Sequence, residues 1–115
     1  MTLFTDGVQS ALERAMDGVA LRQRVSAQNI ANVMTPGYRA QKVSFEGDLA
    51  AALAAGDDPA RATLAVTPTG GAVNELGNDV DISDESASLM KSGLQYEALV
   101  QATNYRLGAI RAALR

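Results

Sequence analysis

At 115 residues and 12.0 kDa the chain holds one domain's worth of sequence and cannot bury a large core. Its apolar fraction is 47%, but aromatics reach only 4% and Trp is absent, so alanine-rich helices that pack closely replace the large anchors of a compact globule. A net charge of -3 and a pI near 4.8 argue against nucleic-acid or anionic-membrane binding; with neither Cys nor His, disulfides, thiolate chemistry and the commonest metal ligand and general base are all missing.

The opening MTLFTDGVQSALERAMDG has an early acid and no apolar run behind a basic start, so no cleaved signal peptide is expected. Val8, Leu12, Ala15, Val19, Arg22, Ser26, Asn29 and Val33 recur at steps of four and three and predict a helix over 1–33. The second half of that stripe is polar: either it fixes register and partner number, or it turns to water. The helix then runs into Thr35-Pro36-Gly37-Tyr38. Pro36 disfavours helix at Thr35, Gly37 can supply the positive φ of a type II turn, and Asn32 tolerates a helix end.

Residues 34–81 form an insert rich in turn signals, at Pro36-Gly37, Gly56-Asp57-Asp58-Pro59, Pro68-Thr69-Gly70-Gly71 and Gly77-Asn78-Asp79. Propensity allows a short helix over Asp48–Ala55 and an extended segment over Ala62–Thr67. The longest apolar run, Leu49–Ala55, is far short of the roughly 20 residues of a membrane helix, so no membrane insertion is expected. Asp79, Asp81 and Ser83 have the spacing of the first EF-hand ligands, but Asp84 stands where the loop needs Gly and Met90 where it needs a bidentate Glu. The cluster reads as helix capping. With no phosphate loop, nucleophile elbow or HExxH pattern, no cofactor, metal site or enzyme activity is expected.

The last element carries the strongest periodicity. Leu89, Gly93, Tyr96, Val100, Thr103, Leu107, Ile110 and Leu114 form a heptad seam, continued upstream by Ile82 and Ser86, in a helix over 82–115 roughly 50 Å long at about 1.5 Å per residue. Asp81 or Ser83 can cap its start, Asp84 and Glu85 lie in the first turn, and Arg106, Arg111 and Arg115 gather near its end. Leu94 and Leu99 lie off this seam, and Leu21 and Val25 lie off that of the first helix. These extra stripes either contact the insert or serve a larger assembly. The fold predicted is all-α: an elongated, coiled-coil-like hairpin of two long terminal helices joined by a short, partly irregular insert, in one domain spanning 1–115.

Two motifs carry a resemblance. Asn29-Ile30-Ala31-Asn32 followed by Thr35-Pro36-Gly37-Tyr38, together with Gly77-Asn78-Asp79-Val80-Asp81 leading to Glu85, Tyr96 and Ala98-Leu99, resembles the rod proteins of the bacterial flagellar basal body, and among them the proximal type. The resemblance implies a non-enzymatic subunit of the hollow drive shaft for motility, assembled through the terminal helices, with Leu89, Tyr96, Val100, Leu107, Ile110 and Leu114 as its seam. Its implied partners are copies of itself, sister rod proteins, basal-body ring or export-gate proteins, and the flagellar type III export apparatus that carries it from the cytoplasm. Phe45-Glu46-Gly47-Asp48-Leu49 looks like an export-gate motif; Phe45 and Leu49 are equally spaced to pack as an i, i+4 pair. A soluble helical adaptor or export chaperone, binding a partner helix in its seam, is the alternative.

Overall fold

The computed structural model describes residues 2–114, with side chains described for 7–114. Helix α1 (Thr2–Ala31) leads through a turn into strand β1 (Gln41–Ser44), helix α2 (Glu46–Ala55), a 3₁₀ turn (Pro59–Arg61), strand β2 (Ala65–Pro68) and helix α3 (Ile82–Ala113). The two long helices make the most extensive contact in the molecule. The chain measures 62 × 26 × 14 Å and has a radius of gyration of 17.4 Å, where a globule of this length would have about 13 Å. The predicted hairpin of terminal helices is therefore present, and elongated. Arg115, expected among the basic residues closing the last helix, lies outside the described residues.

The insert holds more order than its composition suggests. β1 and β2 pair antiparallel, Gln41 opposite Pro68 and Ser44 opposite Ala65, with α2 and the 3₁₀ turn in the connection between them. The extended segment read over Ala62–Thr67 is β2, displaced slightly toward Pro68; its partner β1 is too short to show an alternating pattern. Helix α2 starts two residues before the Asp48 read from propensity and stops at Gly56, whose φ of 74° lets the N–H groups of Gly56 and Asp57 return to Leu53 and Ala52 carbonyls.

The apolar core lies between α1 and the insert. Val19, Val25, Val43, Phe45, Leu49 and Ala62 are buried together, and Leu99 is the α3 residue among the half-buried apolar groups packed on them. Thus Val25 and Leu21, off the main stripe of α1, are covered by the insert, whereas Leu94 of α3 stays 70% exposed. What α3 buries most completely is Glu85 and Ser92. Ser26 and Asn29 are 4% and 0% exposed, so the polar stripe of α1 faces inward and not to water. Ser26 Oγ donates to Ser88 Oγ at 3.1 Å across the helix pair. Small and polar side chains let the two backbones approach, but they exclude little apolar surface from water.

Arg22 fastens α1 to the insert by a fork. Its guanidinium donates to both Glu46 carboxylate oxygens at 2.8 Å and to the Val43 carbonyl at 2.7 Å, and lies 5.0 Å from the centre of the Phe45 ring. The Arg22 hydrogen bonds lower the Glu46 pKa from 4.5 to about 2, against the opposing effect of burial. Because the folded pKa is depressed, the stabilisation is present above pH 4.5 and is lost as pH falls from there to about 2. Glu46 remains 58% exposed, so screening keeps this contribution below about 1 kcal/mol. Arg22→Met is expected to flatten the acid limb of a stability-against-pH curve in that window, measured by urea unfolding; an unchanged slope would show that the fork is not coupled to folding.

Candidate assembly site and helix junction

The two sequence motifs meet in space. Thr35-Pro36-Gly37-Tyr38 is a type II turn: Pro36 sits at its second position, Gly37 at its third with φ 77°, and the Tyr38 N–H donates to the Thr35 carbonyl at 3.2 Å. Gly77-Asn78-Asp79 folds over it. Asn78 Nδ2 donates to the carbonyls of Asn32 (2.8 Å) and Thr35 (3.0 Å), the Gly37 N–H donates to the Leu76 carbonyl (2.8 Å), and the Ala40 N–H donates to Asp79 Oδ1 (2.6 Å). Gly77 packs on Gly37: a Cβ at Gly77 would stand 3.5 Å from Gly37 Cα. Carbonyls at the end of α1 that already accept one local N–H thus take a second donor from a side chain of the segment that starts α3.

Asn29 and Asn32 have different tasks. Asn29 Nδ2 donates to the Gln41 carbonyl at 2.8 Å, while its Oδ1 accepts from the Gln41 N–H at 3.1 Å and from the Tyr38 hydroxyl at 3.0 Å. A buried helix side chain so pairs with β1 as a neighbouring backbone would. Asn32 stays local, Nδ2 donating to the Gln28 carbonyl and Oδ1 accepting from Thr35 Oγ1. Ile30 is half-buried, and Ala31, exposed, is the last residue of α1. Burial, and the nearby Glu85 and Asp79 carboxylates, raise the Tyr38 pKa above 10.0, which keeps its hydroxyl protonated as the donor to Asn29.

Asn74 supports the same junction from within the insert, its Oδ1 accepting from the Leu76 and Asn78 N–H groups. Its signal in the sequence is an ordinary one, an Asn three residues before a Gly, outside the turn cluster Gly77-Asn78-Asp79. At the start of α3, Asp81 is the N-cap and accepts from the Asp84 N–H at 3.2 Å; Ser83, the other candidate, lies inside the first turn.

The seam residues of α3 do not form one buried line. The face turned to α1 runs through Glu85, Ser92 and Leu99, a step round the helix from the Leu89–Tyr96–Val100 stripe. Leu89 and Val100 flank that face half-buried, while Tyr96, Leu107, Ile110 and Leu114 are exposed, Leu114 by 81%. Phe45 and Leu49 are both buried in the core, with the Phe45 ring filling a notch made by Gly18 of α1.

Among the described residues no group of three or more acidic side chains is placed to hold a metal ion, and no helix is long and apolar enough to cross a membrane. A slender pair of helices, locked at one end and apolar along an exposed face, is the build of a structural subunit that packs against further protein. Comparison with known proteins agrees. No protein-family model matches the chain, but curated relatives do: the flagellar basal body rod protein FlgB of Bacillus subtilis is 30% identical, the match covering 99% of this chain and 97% of that protein. FlgB of Borreliella burgdorferi is 26% identical over 89% of this chain and 91% of its own length, and FlgB of Borrelia hermsii is 45% identical over 46% and 38%. The chain belongs to the FlgB family of flagellar basal-body rod proteins, and is a structural subunit of rod type and not an enzyme.

Proposed function

We propose that the chain builds the proximal part of the flagellar rod, its terminal helices packing beside copies of itself and sister rod proteins and, at the base, against ring or export-gate proteins. The observation that carries this reading is the exposed apolar face of α3, where Tyr96, Leu107, Ile110 and Leu114 have more surface than one chain covers. The subunit reaches the rod unfolded through the flagellar type III apparatus, without a cleaved signal peptide. Phe45 and Leu49, buried once the chain has folded, are free for the export gate to read only before folding.

Two variants separate these roles. In a motile host whose own subunit is replaced by this chain, Ile110→Asp is expected to be secreted normally and to abolish swimming, because a charge on the α3 face blocks assembly. Swimming cells would remove the seam assignment. Phe45→Ala is expected to lower secretion several-fold, while Val43→Ala, which also opens the core, leaves secretion unchanged; equal secretion of the two would assign Phe45 to packing alone.

A further inference from the structure

A cavity of about 670 Å³ opens beside the helix junction, between the end of α1, the approach to β1 and the first turn of α3. Four carboxylates line it, Asp79, Asp81, Asp84 and Glu85, and no basic side chain does. Asp79 receives the Ala40 N–H and Asp81 caps α3, so these two have partners within the chain. Glu85 does not: it is 9% exposed, yet among the described residues its carboxylate has neither a hydrogen bond nor an ion pair. A carboxylate so placed, with no donor and no counter-charge, is costly to leave unanswered.

The chain's own bases do not answer it. Between Arg61 and Lys91 the sequence has Glu75, Asp79, Asp81, Asp84 and Glu85 and no basic residue, and Arg39, next to the lining residue Ala40, is exposed and no part of the lining. The field of the cluster is felt nearby, since burial and then the Glu85 and Asp79 carboxylates raise the Tyr38 pKa. A metal ion fits poorly, because no three of these acids converge on one point. A guanidinium fits well: its planar fork of five donors can reach carboxylates that stand apart. The surroundings suit the rest of such a side chain, with Val33 and Ile82 in the lining and Met34 and Leu76 of the same junction exposed.

Resting on the rod-subunit reading, we infer that the junction cavity receives an arginine side chain, carried among apolar residues by the neighbouring protein subunit of the rod, whose guanidinium pairs with Glu85 and Asp84 and whose stem lies on Ile82. The far end of α3 shows what such a segment looks like, with exposed Arg111 among exposed Leu107, Ile110 and Leu114. Within one chain it cannot reach the cavity, because α3 runs unbroken from Ile82 to Ala113 along a molecule 62 Å long. The contact is heterologous, so it extends an assembly instead of closing a pair.

Two experiments on the full-length chain test this. In the first, ethylguanidinium chloride stands in for the arginine and backbone amide shifts are followed by NMR, against sodium chloride of equal ionic strength. Saturable shifts at Ala40, Asp79 and residues 82–85 are expected, with several-fold weaker binding to the isosteric Glu85→Gln. Shifts no larger than those with sodium, or equal affinity for Glu85→Gln, overturn the site. In the second, Asp84→Arg, a change at an exposed position, is expected to leave secretion normal and abolish swimming in a motile host. Suppressors that restore swimming are expected to replace an arginine of a rod subunit by a neutral or acidic residue, at Arg111 if the neighbour is a second copy and in a sister protein if it is not. Swimming that survives Asp84→Arg, or suppressors found only at residue 84, overturns the arginine contact. If the guanidinium fails to bind while the unmodified chain is found in basal bodies, the cavity assignment falls and the rod reading stands; absence of the unmodified chain from basal bodies would sink the rod reading itself.

Discussion

Asn29→Ala is expected to lower unfolding stability by about 3–5 kcal/mol, the largest loss from removing a single polar side chain in this molecule. The residue is 0% exposed and meets three groups: the N–H and C=O of Gln41 and the Tyr38 hydroxyl. Alanine leaves all three part-buried groups without their partner, and each unsatisfied buried group costs roughly 1–3 kcal/mol, part of which is recovered where water can enter. Asn29→Asp keeps the acceptor but sets a carboxylate against the Gln41 carbonyl, so it is not expected to rescue. Asn32→Ala is the control: its bonds to Gln28 and Thr35 are local and exposed, and its loss is expected to stay near 1 kcal/mol. Equal losses for Asn29 and Asn32, by urea unfolding, would refute the division of labour between them.

A second large effect is expected at Gly18. Replacing a helical glycine by alanine ordinarily stabilises by about 1 kcal/mol. Here the added Cβ would lie 2.5 Å from Phe45 Cδ1 and 2.7 Å from Cε1, well inside contact distance. Phe45 is 5% exposed and held against Arg22, so the ring has little room to withdraw. Gly18→Ala is therefore expected to destabilise by about 1–3 kcal/mol, and Gly18→Val by more, in the manner of an overpacked core. Phe45→Leu in the Gly18→Ala background should recover part of the loss, giving a coupling of about 1 kcal/mol or more in a double-mutant cycle. Simple additivity would mean that the notch does not set the position of the ring.

The two long helices were legible because their periodicity runs for many turns and their ends carry recognisable chemistry. All four turn clusters were legible as well, and each contains a glycine of positive φ. Which face of α3 meets α1 was not legible. The apolar stripe carries the hydropathy signal, whereas the inward line of Glu85 and Ser92 is polar and carries none. Nor could composition locate the core, since it depends on β1, a strand of four residues whose pairing with β2 is set by contacts distant in sequence. Gly18 gave no warning of its own, because its importance is visible only with Phe45 in place.

The junction also constrains when the first half of the chain can finish folding. The N–H groups of Gly37 and Ala40 find their partners among residues 76–79, and the carbonyls of Asn32 and Thr35, which accept locally from the Thr35 and Tyr38 N–H groups, gain a second donor there. Closing so long a loop comes late, because its entropy must be spent before any contact repays it. A chain ending near residue 73 would hold every residue of the turn and still leave the Gly37 and Ala40 N–H groups to solvent. Helix α1 is thus completed from downstream, and truncation would unsettle it far from the cut.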